Sequence, residues 1–258
     1  MRISFLITHY NRPKDVEKCI EAILLVKSAQ DEIVVSDDGS ALDNITQLKD
    51  LEIGTLVKTE KNLGLAANIN RGLQQCKGDY ILYCQEDFIL SPTLKDKLPE
   101  FIKLIDDSKI DLIRFSSYFD FYKVENFNDT LNIIPRFSFS NFTQNFYRYS
   151  DHPFLVSKDF HPIYGYYLEQ TSGRYGETEY AIRISNSTAV IAITQQPMAH
   201  SIDGSESTLI NEIQPIAAPF KLNKGVKKYA RAVRMYFEWI MYRKSKRGLV
   251  TYKNGRKD

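Results

Sequence analysis

Ile3-Ser4-Phe5-Leu6-Ile7-Thr8-His9-Tyr10-Asn11-Arg12-Pro13 opens the chain with an apolar run that breaks on a polar cluster. Ile3 to Thr8 reads as a buried strand, and Arg12-Pro13 ends it. Pro13 with Lys14 and Asp15 suits a helix start, followed by Cys19, Ile20, Ile23 and Leu24 at helical spacing. Working outward, a second strand from Glu32 to Ser36 stops at Asp37-Asp38-Gly39-Ser40. Leu56-Val57 begins a short third strand, and a turn follows at Lys61-Asn62-Leu63-Gly64. A helix from about Leu65 to Gln75 is ended by Gly78. A fourth strand, Tyr80 to Cys84, runs into Gln85-Glu86-Asp87. Apolar strand runs alternating with helical patterns are the signature of βαβ units, so the spacing predicts an α/β fold on a mostly parallel central sheet.

Beyond residue 90, helical spacing returns over 93–106 and a strand over Asp111 to Ser116. Residues 118–167 hold 16 of the chain's 32 aromatics with no clear period, and read as irregular structure shaping a pocket. Most of these rings are core filling, and some are candidates for stacking on a ligand. A helical segment around Glu177 to Ile184, a strand near Ala189 to Thr194 and a helical period from Asn223 to Lys246 complete the reading.

The 258 residues fit one large domain with an appendage, and 43% apolar residues can bury a sizeable core. The three cysteines, Cys19, Cys76 and Cys84, form no CxxC pair, which argues against a disulfide framework or a structural zinc and suggests a reducing compartment. The opening run is too short for a signal-peptide core, and no apolar run approaches the roughly 18 residues of a spanning helix. A cytoplasmic location is expected. Residues 221–258 carry 13 Lys or Arg against Glu238 and Asp258, a net +11, while the rest hold 21 against 30, a net −9. An acidic body with a basic tail speaks against a nucleic-acid binder, because the body would repel a phosphate backbone.

In open α/β sheets a ligand sits at the carboxyl ends of the strands. Three strand ends here carry polar clusters: Thr8-His9-Tyr10-Asn11-Arg12, Asp37-Asp38-Gly39-Ser40 and Gln85-Glu86-Asp87. Each alone reads equally as a turn or a helix cap; their order within ninety residues is the stronger signal. With FLITHYNRP, EIVVSDDGS, the N-x-G-x5-N-x-G run from Asn62 to Gly72, KGDYILYCQED, HPFLVSKDFHPIYGYY and YGETEYAIRI, the chain resembles a family 2 glycosyltransferase of the GT-A fold over roughly residues 1–205. The resemblance implies one Rossmann-like nucleotide-binding domain over 1–220, divided into a nucleotide-sugar half (1–116) and an acceptor half (117–220), with 221–258 as a basic amphipathic tail.

What the resemblance implies about residues is specific. Thr8, Tyr10 and Asp38 match positions that hold the nucleoside, and Arg12, Asn62, Gly64, Asn70 and Glu86 belong to the same donor-binding set. Asp87 matches the last acid of a metal-binding D-x-D, for Mn2+ or Mg2+, with Gln85 in place of its first acid. A hard divalent cation wants carboxylate oxygens and neutralises charge on a departing diphosphate. Glu177, six residues before Arg183, matches the catalytic base, with Glu179 pointing elsewhere on the helix. His200, in His200-Ser201-Ile202-Asp203-Gly204-Ser205, matches a late histidine near metal or diphosphate. His9, His152 and His161 read as packing or acceptor-pocket residues.

The expected activity is an inverting hexosyl transfer from a nucleotide-diphosphate sugar, UDP by default. The acceptor would be a glycan or lipid-linked saccharide, in bacterial surface polysaccharide synthesis. Two other readings are carried: a non-catalytic sugar- or nucleotide-binding relative, motivated by Gln85, and a sugar-phosphate nucleotidyltransferase, disfavoured because THYNRP lacks glycine. In the tail, Val226, Tyr229, Ala230, Val233, Phe237, Ile240 and Met241 form one stripe. Lys227, Lys228, Arg231 and Arg234 lie opposite, with Trp239 near the boundary. That pattern suits a helix lying on an anionic inner-leaflet surface, and equally a helix docked on the domain.

Overall fold

The computed structural model describes residues 2–117, 120–170, 173–202 and 223–242. Among the described residues, eleven strands and seven α-helices follow one another: β1 (Ile3–His9), α1 (Pro13–Val26), β2 (Glu32–Asp37), α2 (Leu42–Gln47), β3 (Thr55–Lys58), α3 (Leu65–Gln75), β4 (Tyr80–Gln85), β5 (Phe88–Leu90) and α4 (Leu94–Asp106). There follow β6 (Leu112–Arg114), β7 (Glu125–Asn126), β8 (Leu131–Ile133), β9 (Phe154–Ser157), α5 (Phe160–Tyr164), α6 (Gly173–Asn186), β10 (Ile191–Thr194), β11 (Ala199–Ser201) and α7 (Lys224–Ile240). Nine strands form one sheet in the order β3-β2-β1-β4-β9-β6-β10-β8-β7, and β11 pairs with β5 beside it. β1, β2, β3, β4, β6 and β10 point the same way, so the sheet is mostly parallel, as expected.

All seven residues of β1 are buried, because helices cover both faces of the sheet. On one face Phe5, Ile7, Val35 and Leu82 pack against Ile20 and Ile23 of α1 and Phe101 of α4. On the other, Leu6, Val34 and Tyr83 pack against Ile69 and Leu73 of α3 and Tyr180 and Ile184 of α6. Pro13 stands at the first turn of α1, where its missing N–H costs nothing.

The expectation of irregular structure over 118–167 needs correction. That stretch contributes β7, β8, β9, α5 and a 3-10 turn over Asn145–Arg148. β9 lies in the middle of the sheet, antiparallel to both β4 and β6. At four residues it is too short to show a period of two, and Phe154, Leu155 and Val156 are all buried. β6 is also shorter than expected: before it the Asp111 carboxylate accepts Val190 N–H and Tyr164 O–H, and after it Phe115 N–H bonds to Pro153 O.

α7 docks on the body. Met235, Tyr236 and Trp239 pack against Phe146 and Ile182, the Tyr236 hydroxyl bonds to Phe142 O and Trp239 Nε1 donates to Asn186. Lys228 and Arg231 turn toward the body, over the rings of Tyr122 and Tyr147. The helix ends at Ile240, and residues 243–246 of the expected helical stretch lie outside the described residues. The expected apolar stripe faces away: Val226, Tyr229, Val233, Phe237, Ile240 and Met241 are each more than half exposed.

Candidate active site

The strand-end loops are built by reciprocal hydrogen bonds. His9 Nδ1 meets Asp37 Oδ2 at 2.8 Å while its Nε2 accepts the Arg12 backbone N–H. Nδ1 therefore carries the proton, and the imidazole is a strut between β1 and β2. Asp37 also accepts the Gly39 and Ser40 N–H groups and the Ser40 hydroxyl. Burial alone would raise its pKa, but the bonds from His9 and Ser40 hold it below the usual carboxylate value. Asn11 takes a left-handed conformation (φ 58°). Its side-chain oxygen accepts Ala41 N–H and the Asn44 amide.

Asp38 reaches the other way. Its two carboxylate oxygens accept Leu63 N–H at 3.0 Å and Gly64 N–H at 2.8 Å, with Arg71 3.5 Å away. Burial raises its pKa, countered in part by those N–H groups and by Arg71. A side chain at Gly39 (φ 77°) would meet the Lys61 backbone at 2.4 Å, so glycine lets the two loops touch. Asn62 Oδ1 also accepts Gly64 N–H, and Gly64 itself sits at φ 92°. Asn70 is turned to the segment after α5: its amide donates to Tyr167 O and Glu169 and accepts Tyr167 N–H.

β4 closes the cluster. Glu86 N–H donates to Thr8 O, the Thr8 hydroxyl pairs with Tyr83 at 3.1 Å, and Arg12 Nη1 lies 3.5 Å from Asp87. Tyr10 is half-buried on the same loop. Glu86 is buried, and that burial, then the neighbouring Asp87, pushes its pKa up to about 8. Asp87 is raised by burial and lowered by Arg12.

No group of three or more His, Cys, Asp or Glu that could hold a metal occurs among the described residues. Asp87 Oδ1, however, is buried and accepts no hydrogen bond within the described chain. One carboxylate oxygen left over beside Arg12 and Glu86 fits a hard cation that takes its other ligands from phosphate and water. His200 is exposed on β11, opposite Ile89, and the next turn of that ladder brings Ile202 N–H to Asp87 O at 2.7 Å. Asp203, Gly204 and Ser205 lie outside the described residues.

On α6 the two glutamates have different surroundings. Glu179 is fully buried, forms a two-point ion pair with Arg183 and accepts the Tyr242 hydroxyl. Glu177 is half-buried, and one of its oxygens accepts Asp151 N–H at 3.4 Å. Gln85, at the end of β4, donates to Asp151 O at 3.5 Å. Residue 151 therefore lies between the β4 end and Glu177.

The structure joins Thr8, Arg12, Glu86 and Asp87 in one cluster and Asp38, Asn62 and Gly64 in a second. Glu177 reaches the first through Asp151 and Gln85. Two residues, Arg71 and Asp151, escaped the sequence reading. Arg71 binds Asp37 O, Asn68 and Asp38. His9, read as a packing or acceptor-pocket residue, is a buried strut between Asp37 and the Arg12 N–H. Asp151 had one signal, as the sole acid between Asp129 and Asp159. Of the remaining histidines, His152 bonds Ser116 and His161 is buried against Phe160 and Tyr167. Burial lowers both pKa values to about 3, so both rings are neutral.

A three-layer α/β/α sheet with polar clusters at the carboxyl ends of β1, β2 and β4, the last two of them acidic, is the GT-A type of fold. A profile of glycosyl transferase family 2 matches residues 4–160, more than half the chain, and the chain belongs to that family. Relatives include the poly-beta-1,6-N-acetyl-D-glucosamine synthase of Staphylococcus aureus (strain COL), 30% identical over 92 residues. The amylovoran biosynthesis glycosyltransferase AmsE of Erwinia amylovora is 32% identical over 100 residues. These matches cover 34% and 36% of this chain and only 22% and 38% of the relatives' own length. Among solved structures, S. aureus TarS 1-349 in complex with UDP-GlcNAc superposes with a TM-score of 0.62 at 15% identity, over 92% of this chain and 73% of that one. The mannosyltransferase PcManGT of Pyrobaculum calidifontis, in complex with GDP-Man and Mn2+, gives 0.54 at 15% identity, over 76% and 55%. These likenesses bear on the fold.

Proposed function

We propose that the chain moves a hexosyl group from a nucleotide-diphosphate sugar, with UDP the favoured nucleotide, to a hydroxyl of a glycan or lipid-linked saccharide. The setting would be bacterial surface polysaccharide synthesis. The observation that carries the reading is the link from Glu177 through Asp151 and Gln85 to the Thr8–Arg12–Asp87 cluster. It supports a base and a donor cleft on one sheet edge. In this reading Thr8, Tyr10, Arg12, Asp38, Asn62, Gly64, Asn70 and Glu86 shape the donor side, some by contact and some by holding the loops. Asp87 and His200 would hold Mn2+ or Mg2+, which neutralises charge on the departing diphosphate. Glu177 takes the acceptor hydroxyl proton as that oxygen bonds to the anomeric carbon. The bond from that carbon to the diphosphate oxygen breaks with its electron pair, and the configuration inverts. Glu179 is unsuited to the role, because its carboxylate is spent on Arg183 and Tyr242.

The relatives' names support the polysaccharide setting, and the nucleotides named with the structural neighbours support a diphosphate nucleoside. A nucleotide screen tests the donor side: thermal shift with UDP, GDP, dTDP and CMP, each with Mn2+ or EDTA. Stabilisation by one diphosphate nucleoside, lost in EDTA and in Asp87→Asn, is the expected result. Equal response to all four, or binding indifferent to EDTA and to Asp87→Asn, contradicts it.

No helix among the described residues is long and apolar enough to cross a membrane. We place the chain at the inner face of the membrane through the 221–258 segment. The outward stripe of α7 supports this. So does a groove of about 710 Å³ between α7 and residues 143–147, lined by Lys227, Lys228, Arg231 and Arg234.

A further inference from the structure

The groove of about 710 Å³ between α7 and residues 143–147 is the size of a small-molecule site, and four cations line it: Lys227, Lys228, Arg231 and Arg234. No Asp or Glu lines it among the described residues. Glu238, 3.6 Å from Arg234 Nε, offsets part of one charge. Two of the cations lie over rings. The Lys228 ammonium is 5.5 Å from the centre of Tyr122, and the Arg231 guanidinium is 5.3 Å from that of Tyr147. A ring face holds a cation in place without neutralising it. The Nε atoms of Arg231 and Arg234 are buried and donate no hydrogen bond within the described chain. Such a lining calls for a ligand that brings both negative charge and acceptor oxygens, which is the chemistry of a phosphate group.

On its outer side the groove opens onto the apolar stripe of α7. Ala230 lines the groove and lies one helical turn from Val226 and Val233, and Arg234 lies one turn from Phe237. Val226, Val233 and Phe237 are each more than half exposed. On its inner side the wall includes Tyr147, and four residues further along the chain the Asp151 N–H donates to Glu177. Four residues span at most about 14 Å. α6, which carries Glu177, packs on α7 through Ile182 and Met235.

We propose that this groove holds the diphosphate of a lipid-linked saccharide, with the lipid along the outward stripe and the saccharide on the side of Glu177. The inference rests on the reading of the chain as a transferase with a glycan or lipid-linked acceptor, and it selects the second. Charge favours a diphosphate over a phospholipid headgroup, because a headgroup phosphodiester brings a single negative charge to a groove lined by four cations.

The test is binding of geranylgeranyl diphosphate to the full-length protein by titration calorimetry, in EDTA so that no metal draws the diphosphate to Asp87. Lys227→Gln with Arg231→Gln keeps good helix formers on α7 and should weaken binding by about tenfold or more. Geranylgeraniol, which lacks the phosphates, and inorganic pyrophosphate, which lacks the lipid, should each bind weaker than the diphosphate by about tenfold or more. An excess of dihexanoyl phosphatidylglycerol should leave the diphosphate in place. Four results overturn the proposal. They are undiminished binding by the double variant, pyrophosphate binding as tightly as the lipid diphosphate, displacement by the phosphatidylglycerol, and binding that disappears in Asp87→Asn. If circular dichroism shows that the double variant does not fold, Lys227→Gln alone serves, because that side chain is exposed. A smaller loss is then expected, and an unmoved affinity overturns the proposal. Binding as expected without transfer from any nucleotide sugar would instead strike the transferase reading and leave the groove a lipid diphosphate site.

Discussion

Glu177 and Glu179 stand two residues apart, and helix geometry turns them in different directions. That much was legible in the sequence, because the distance to Arg183 separates six residues from four. Glu179 pairs with Arg183 across one turn, with side-chain exposures of 0% and 12%. Replacing one partner of so buried a pair leaves the other charge uncompensated, at about 3–5 kcal/mol. Arg183 keeps the Tyr164 and Tyr166 carbonyls as acceptors, which places the loss at the lower end. Glu179→Gln is therefore expected to lower stability by about 3 kcal/mol in urea unfolding, while the half-exposed Glu177→Gln changes it by less than about 1. Equal losses would show that the two side chains are not distinguished as described. Asp151 was not legible. It reaches Glu177 across 26 residues by a backbone N–H, and no periodicity reports on a contact of that kind.

Among the elements, β1, β2, α3 and β4 follow their sequence signals closely, since each is a buried run or an amphipathic period bounded by Gly, Pro or Asp. β9 does not, since a four-residue strand buried on both faces has no pattern to read. α7 shows a different limit. The wheel separated an apolar stripe from a basic side, but it could not say which side meets the body. Tyr236 and Trp239 decided it, by finding hydrogen-bond partners at Phe142 and Asn186. The stripe left outside suits a lipid interface, and each cation near an anionic bilayer adds about 1 kcal/mol. The full-length chain should sediment with phosphatidylglycerol vesicles at low salt and be released at high salt, because the attraction is screened. Phe237→Ser with Ile240→Ser should weaken that binding and spare the fold, since both side chains are more than half exposed. Binding to neutral vesicles as strong as to anionic ones, or none by the unaltered chain, contradicts the proposal.

At the scale of the whole molecule, the sheet carries both halves of the proposed reaction. β1, β2 and β4 bring the proposed donor loops to one end of the sheet, and β9 returns from the second half of the chain to lie against β4. That insertion sets Asp151, three residues before β9, beside the β4 end, and so joins Glu177 to the proposed donor side. The charge is divided in the same spirit: −9 over residues 1–220 and +11 beyond them. The central claim is that Glu177 acts in the chemical step and not in donor binding. The measurement that tests it most directly compares Glu177→Gln with wild type in two assays: UDP affinity with Mn2+, and nucleoside diphosphate release from a UDP-sugar under single-turnover conditions. The account predicts unchanged affinity and a rate lower by about 10²-fold or more, the scale of a lost general base. A wild-type rate in the variant, or a loss of affinity that accounts for the whole effect, would contradict it.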